Sequence, residues 1–87
     1  MDTRIELEFP CHYPIKVMAR VAEDLRPRLD AIFERHAGPL HRITITERPS
    51  AQQNFIGITY VIHAQGPEQI AALFSDLKET PEVMLVL

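Results

Sequence analysis

Residues 56–63, Ile56-Gly57-Ile58-Thr59-Tyr60-Val61-Ile62-His63, place Ile56, Ile58, Tyr60 and Ile62 on one face of a strand. Gly57, Thr59, Val61 and His63 fall on the other, the period of two that a β-strand requires. Outward from this stretch the same period recurs near 13–20, 41–48 and 82–87, with the central segment itself spanning 55–64. Two segments of period 3.6, near 24–37 and 67–79, separate them and read as amphipathic helices. The resulting order is strand, helix, strand, strand, helix, strand.

That order predicts an α+β domain of the ferredoxin-like, or split-βαβ, type: a four-stranded antiparallel sheet in the order 4-1-3-2 with both helices on one face. The 87 residues suffice for one domain, with residues 1–11 as an N-terminal arm and 12–87 as the folded unit. In the arm, Ile5, Leu7 and Phe9 alternate with charged residues, while Pro10 and Pro14 bracket Cys11-His12-Tyr13 and hold it extended. The first core strand is expected over Pro14–Val21, with proline tolerated at its first position only. Ile15, Val17, Ala19 and Val21 should face inward, and Lys16, Met18 and Arg20 outward.

Helix one is expected to start behind Asp24 as N-cap, with Pro27 in its first turn and Gly38-Pro39 as its stop. Leu25, Leu29, Ile32, Phe33 and His36 make its inward stripe. Strand two, Arg42–Thr46, turns its isoleucines in and its threonines out, and the polar interval Arg48–Asn54 reads as a hairpin loop. Gly66-Pro67 opens helix two, whose buried stripe is Ile70, Leu73, Phe74 and Leu77, and Thr80-Pro81 closes it. The last strand, Glu82–Leu87, is apolar on both faces and is expected at a sheet edge, with Met84 and Val86 outward. An uncovered apolar edge invites pairing, so this strand is a candidate assembly surface and a homodimer is one expected use of it; cover by the N-terminal arm is the equal alternative.

Composition narrows the function classes. Apolar residues make up 46% of the chain, far above a disordered composition. No apolar run approaches the ~18–20 residues of a membrane span, and a charged, alternating N-terminus stands where a secretory signal needs an apolar core. Cys11 is the single cysteine, so no internal disulfide forms. A cytoplasmic protein is expected, with no membrane partner. The net charge of −3 argues against a non-specific nucleic-acid binder, whose affinity comes from excess positive charge.

Catalytic and metal chemistries of this fold find no footing. A metal carrier needs paired thiolates after the first strand, whereas Cys11 is alone and precedes it. His12, His36, His41 and His63 lie on an arm, a helix end, a loop and a strand, without ligand spacing. An acyl-phosphate hydrolase needs a glycine-lined anion cradle between strand one and its helix. Here that connection is Val21-Ala22-Glu23-Asp24, glycine-free and acidic. Ser50 and Ser75 lack any activating context. RNA-recognition modules stack bases on aromatics of the open sheet face. Tyr60 belongs to the buried register, and Phe55 alone sits on the opposite face at the strand's start. What the open face does offer is a small basic strip, Lys16 and Arg20 beside Thr59 and His63.

The unit Phe9-Pro10-Cys11-His12-Tyr13-Pro14-Ile15-Lys16-Val17-Met18 resembles the YbeD-like family of small bacterial proteins of unknown function. Arg35-His36-Ala37, Arg48-Pro49-Ser50, Asn54-Phe55 and the closing Val86-Leu87 fit the same pattern. The resemblance implies a ferredoxin-like fold similar to ACT regulatory domains, which sense small metabolites, often across a dimer interface. It also implies a setting in lipoate metabolism, because family members are frequently encoded beside the lipoyl (octanoyl) transferase. No catalytic residue is carried over. The chain departs from the family pattern at Ala19, where glycine is usual, and at Ala51-Gln52-Gln53, where Ser-Lys-Gly is usual.

Taken together, a non-enzymatic regulatory or adaptor protein is expected, without cofactor or metal. Its protein partner or small metabolite would bind the open sheet face and the last-strand edge. The candidate contact residues are Lys16, Met18, Arg20, Thr59, His63, Met84 and Val86. An ACT-like small-molecule sensor is the alternative.

Overall fold

The computed structural model describes residues 8–87, so the expectations for Ile5 and Leu7 lie outside the described residues. Strand β1 (Cys11–Arg20) is followed by helix α1 (Leu25–Ala37), a single 3-10 turn (Leu40–Arg42), β2 (Thr44–Pro49), β3 (Phe55–Ala64), α2 (Pro67–Lys78) and β4 (Val83–Val86). The strands pair antiparallel in the order β2-β3-β1-β4, which is 4-1-3-2 counted from the other edge. Both helices cover one face. Ile15, Val17, Ile58, Tyr60 and Ile62 of the sheet are fully buried against Leu25, Leu29 and Phe33 of α1 and Leu73 and Leu77 of α2. Each such side chain stabilises the fold by about 1.5–3 kcal/mol relative to exposure. Phe9 packs against the margin of this core.

β1 begins three residues earlier than the proline rule suggests, with Pro14 inside the strand opposite Val61. The hydrogen-bond alternation explains why this costs nothing. Lys16 exchanges both backbone bonds with Leu87, so its N–H faces β4, and the nitrogen of Pro14, two residues back, faces the same side. Among the described residues β4 pairs no further than Leu87, so no acceptor lies opposite Pro14 on that side. At the other end Val21 is exposed rather than inward, because pairing with β3 stops at Arg20 and the Val21 N–H bonds instead to Asn54 O.

β4 departs from simple alternation. Val86 lies opposite Val17, Leu85 opposite Met18, and Val83 opposite Ala19, with a register shift between Met18 and Ala19 that leaves Met84 as the extra residue. This bulge turns both Val83 and Val86 toward the helices, a spacing of three that an unbroken strand cannot achieve. Val86 is therefore 8% exposed and part of the core. Its expected place on the open face is corrected, and Leu85 takes it instead.

Helix α1 uses its Asp24 differently from the expected cap. The side chain makes no capping bond and accepts from Arg28 Nη2 at 3.1 Å. The helix ends as expected at Gly38, whose φ of +90° is a conformation that L side chains rarely adopt. β2 starts and ends later than expected. The 3-10 turn absorbs Arg42, and the ladder runs to Pro49 opposite Ile56. The hairpin loop shrinks to residues 50–54, closed by Ser50 N–H on Phe55 O at 2.8 Å and Phe55 N–H on Ser50 Oγ at 3.2 Å.

Candidate functional site on the open sheet face

The face opposite the helices is built by strand parity. β1 turns His12, Lys16, Met18 and Arg20 outward, and β3 turns Phe55, Gly57, Thr59 and His63 the same way. Cross-strand register sets Lys16 beside Thr59, Met18 beside Gly57, Arg20 beside Phe55 and His12 beside His63. β2 adds Thr46 opposite Thr59 and Arg48 opposite Gly57. β4 adds Leu85 opposite Met18, with the bulged Met84 next to it.

Of the residues named from sequence, Lys16, Met18, Arg20, Thr59, His63 and Met84 lie on this face, and Val86 does not. They divide into two groups. At one end Met18, Phe55, Met84 and Leu85, with Ala19 and Ser50, line an almost wholly apolar groove of about 550 Å³. Met84 is 57% exposed, Leu85 50% and Phe55 38%, so three large apolar side chains meet water around one groove. At the other end the imidazoles of His12 and His63 face each other with ring centroids 5.4 Å apart and planes tilted by 34°. Lys16 and Thr59 sit between.

Gly57 shapes the groove. A Cβ at this position would meet Met18 Sδ at 3.1 Å and Lys16 Cε at 3.6 Å. The missing side chain is thus the space in which the thioether and the lysine stem lie. Lys16 is exposed, and its Cε lies beside this space rather than in the groove's lining.

Leu85, Phe55 and His12 also lie on this face and are absent from the sequence-derived candidates. Leu85 was lost because alternation through β4 ignores the bulge. Phe55 falls on the open face by parity, where the sequence offers it only as a lone base-stacking ring. His12 sits between two prolines that make it read as part of the arm, yet it is a paired residue of β1, and its parity with Lys16 is the signal.

The helix side carries a different electrostatic arrangement. Arg26 pairs with Asp30 at 3.1 Å and with Glu47, Arg28 with Asp24 at 3.1 Å and Glu82 at 2.9 Å, and Arg35 with Asp76 at 3.3 Å. His36 Nε2–H donates to Asp76 Oδ2 at 2.6 Å, joining α1 to α2. The hydrogen bond from His36, then the nearby Arg35, hold the Asp76 carboxyl below its ordinary range, and the bond from Arg28 does the same for Glu82. Tyr60 sends its hydroxyl to Asp30 Oδ1 at 2.6 Å. Burial first, then that carboxylate, push the phenol well above its usual value. These charges answer one another and bind the helices to the sheet. Among the described residues no group of three or more His, Cys, Asp or Glu side chains is arranged to hold a metal ion, and no helix is long and apolar enough to cross a membrane.

Comparison with known proteins places this geometry. The fold is similar to the solution structure of protein HP0495 from H. pylori (TM-score 0.74, 11% identity, covering 98% of this chain and 89% of that one). It is also similar to the ACT domain from the GTP pyrophosphokinase of Chlorobium tepidum (TM-score 0.65, 11% identity, covering 88% and 97%). In sequence, the chain is 36% identical to a UPF0250 protein of Ectopseudomonas mendocina over 94% of this chain and 90% of that protein. It is 36% identical to one of Azotobacter vinelandii over 99% and 98%. The model of the family described as "Protein of unknown function (DUF493)" matches residues 5–87. The chain belongs to that family, the YbeD-like UPF0250 proteins whose pattern its β1 motif carries.

Proposed function

We propose that this protein is a non-enzymatic regulatory or adaptor module of the cytoplasm that docks a partner on its open sheet face and along the β4 edge. The observation that carries the reading is the apolar groove over Met18, Phe55, Met84 and Leu85, with Lys16 and Arg20 the outward residues on either side of Met18 along β1. Covering it removes apolar surface from water at roughly 25 cal/mol per Å². An apolar centre with a charged margin is the anatomy of a protein interface. The test is retention from native lysate on the immobilised protein, with a Lys16→Glu/Arg20→Glu variant and a Leu85→Glu variant as controls. A protein held by the wild type and released by both variants supports docking; equal retention by all three forms contradicts it.

A second reading, an ACT-like small-molecule sensor, is favoured by the groove's volume. It lies within the ~300–1,000 Å³ of small-ligand sites. A thermal-shift panel of amino acids, octanoate and lipoate tests it, since a ligand at 100 times its Kd stabilises by about 2.7 kcal/mol. The two acids also test the lipoate-metabolism setting that the family resemblance suggests. No rise in Tm across the panel removes this reading.

A further inference from the structure

We infer that the segment seated on the open face is acidic: a stretch of a partner protein with apolar residues at its centre and Asp or Glu on its flanks. The inference rests on the docking reading above and names the chemistry of the occupant.

The argument is one of charge distribution. The chain as a whole is acidic, with a net charge of −3. Yet the outward-facing residues of the four strands include Lys16, Arg20, Arg48, His12 and His63 and not one Asp or Glu. The arginines of α1 are neutralised by carboxylates, whereas Lys16, Arg20 and Arg48 have no ion pair among the described residues. One side of the sheet is therefore cationic on an anionic molecule, a separation that attracts and orients a negatively charged partner. Gly57 brings this charge to the apolar site, because Met18 Sδ and Lys16 Cε share the space above it. A methionine-lined hollow adapts to varied apolar side chains. Cations at its margin then select for carboxylates on either side of them.

Two other anionic occupants fit less well. A small inorganic anion would find no charged residue in the groove's lining, which is apolar apart from Ser50. A single-stranded nucleic acid needs successive stacking rings, and among the described strand residues Phe55 is the only Phe, Tyr or Trp on the open face.

The test uses three fluorescent twelve-residue peptides sharing a central Val-Leu-Val-Leu run, flanked by glutamates, glutamines or lysines. Anisotropy with the full chain measures affinity, and amide shift mapping locates the site. The glutamate peptide is expected to bind at least tenfold tighter than the glutamine peptide, and the lysine peptide not at all. Shifts should centre on Met18, Phe55 and Leu85, and Lys16→Glu/Arg20→Glu should reduce affinity at least tenfold with its circular dichroism unchanged. Equal binding of the glutamate and glutamine peptides, or shifts on the helices, overturns the inference. So does tighter binding of an oligouridylate at the same residues, or sedimentation showing a dimer that Leu85→Glu dissociates. The lysate experiment separates the two levels. A captured protein that the glutamate peptide does not displace leaves docking standing and removes the acidic segment. Neither capture nor peptide binding removes both.

Discussion

Tyr60 brings a polar atom to the core, and the fold supplies its partner. The ring stacks on Phe33 with centroids 3.6 Å apart, and the hydroxyl donates to Asp30, which Arg26 also holds. Hydrogen bonds to charged groups are worth about 1.5–3 kcal/mol. Tyr60→Phe should therefore lower the urea unfolding free energy by roughly that amount, and Asp30→Ala by more, because it leaves the hydroxyl unpaired. Parity announced that Tyr60 is buried, but nothing in the sequence announced Asp30, thirty residues away on another element. Asp76 makes the corresponding link between the helices. Its carboxyl is depressed chiefly by the bond from His36, so it stabilises the fold at pH values above the ordinary carboxylate pKa of about 4. That contribution is lost as pH falls through the lower folded-state value. Asp76→Asn should flatten this acid limb, read as the difference in Tm between pH 6 and pH 3 for variant and wild type.

β4 shows what an element conceals from its own sequence. Apolar residues at every position of Val83–Val86 carry no alternation, so period two was the only guide available, and it put Val86 outside. The bulge at Met84 is dictated by β1, which offers Val17 and Ala19 as inward neighbours, and by the need to cover α2. The other strands were legible because Thr, Gly, Lys and His mark their outer faces. Exchanging positions within β4 tests the register. Val86→Ala removes two buried methyl groups and should cost about 1.5–2 kcal/mol. Met84→Ala should stay within about 0.5 kcal/mol, as exposed substitutions do. Equal losses in chemical denaturation would restore unbroken alternation. The same shift explains why the candidate site was only partly legible. The basic strip follows from β1 parity alone, whereas the apolar groove needs Phe55 from β3 and Leu85 from β4, which meet only on either side of β1.

At the scale of the molecule, charge is divided between two tasks. On the helix side Arg28 ties the start of α1 to the entry of β4 through Asp24 and Glu82, so it joins the first and last thirds of the chain. On the sheet side Lys16 and Arg20 point to solvent from a central strand whose backbone is already paired on both sides. Removing a helix-side charge leaves carboxylates without their counter-ion; reversing a sheet-side one leaves the fold's contacts intact. The two substitutions should therefore separate stability from docking. Arg28→Ala should lower Tm while the glutamate peptide still binds with wild-type affinity per folded molecule. Lys16→Glu/Arg20→Glu should keep Tm within a few degrees and lose the peptide. Calorimetry and anisotropy on the same samples decide the matter. A Tm drop shared by both variants would mean that the sheet-face cations serve the fold, and the open face would then lose its claim to be a recognition surface.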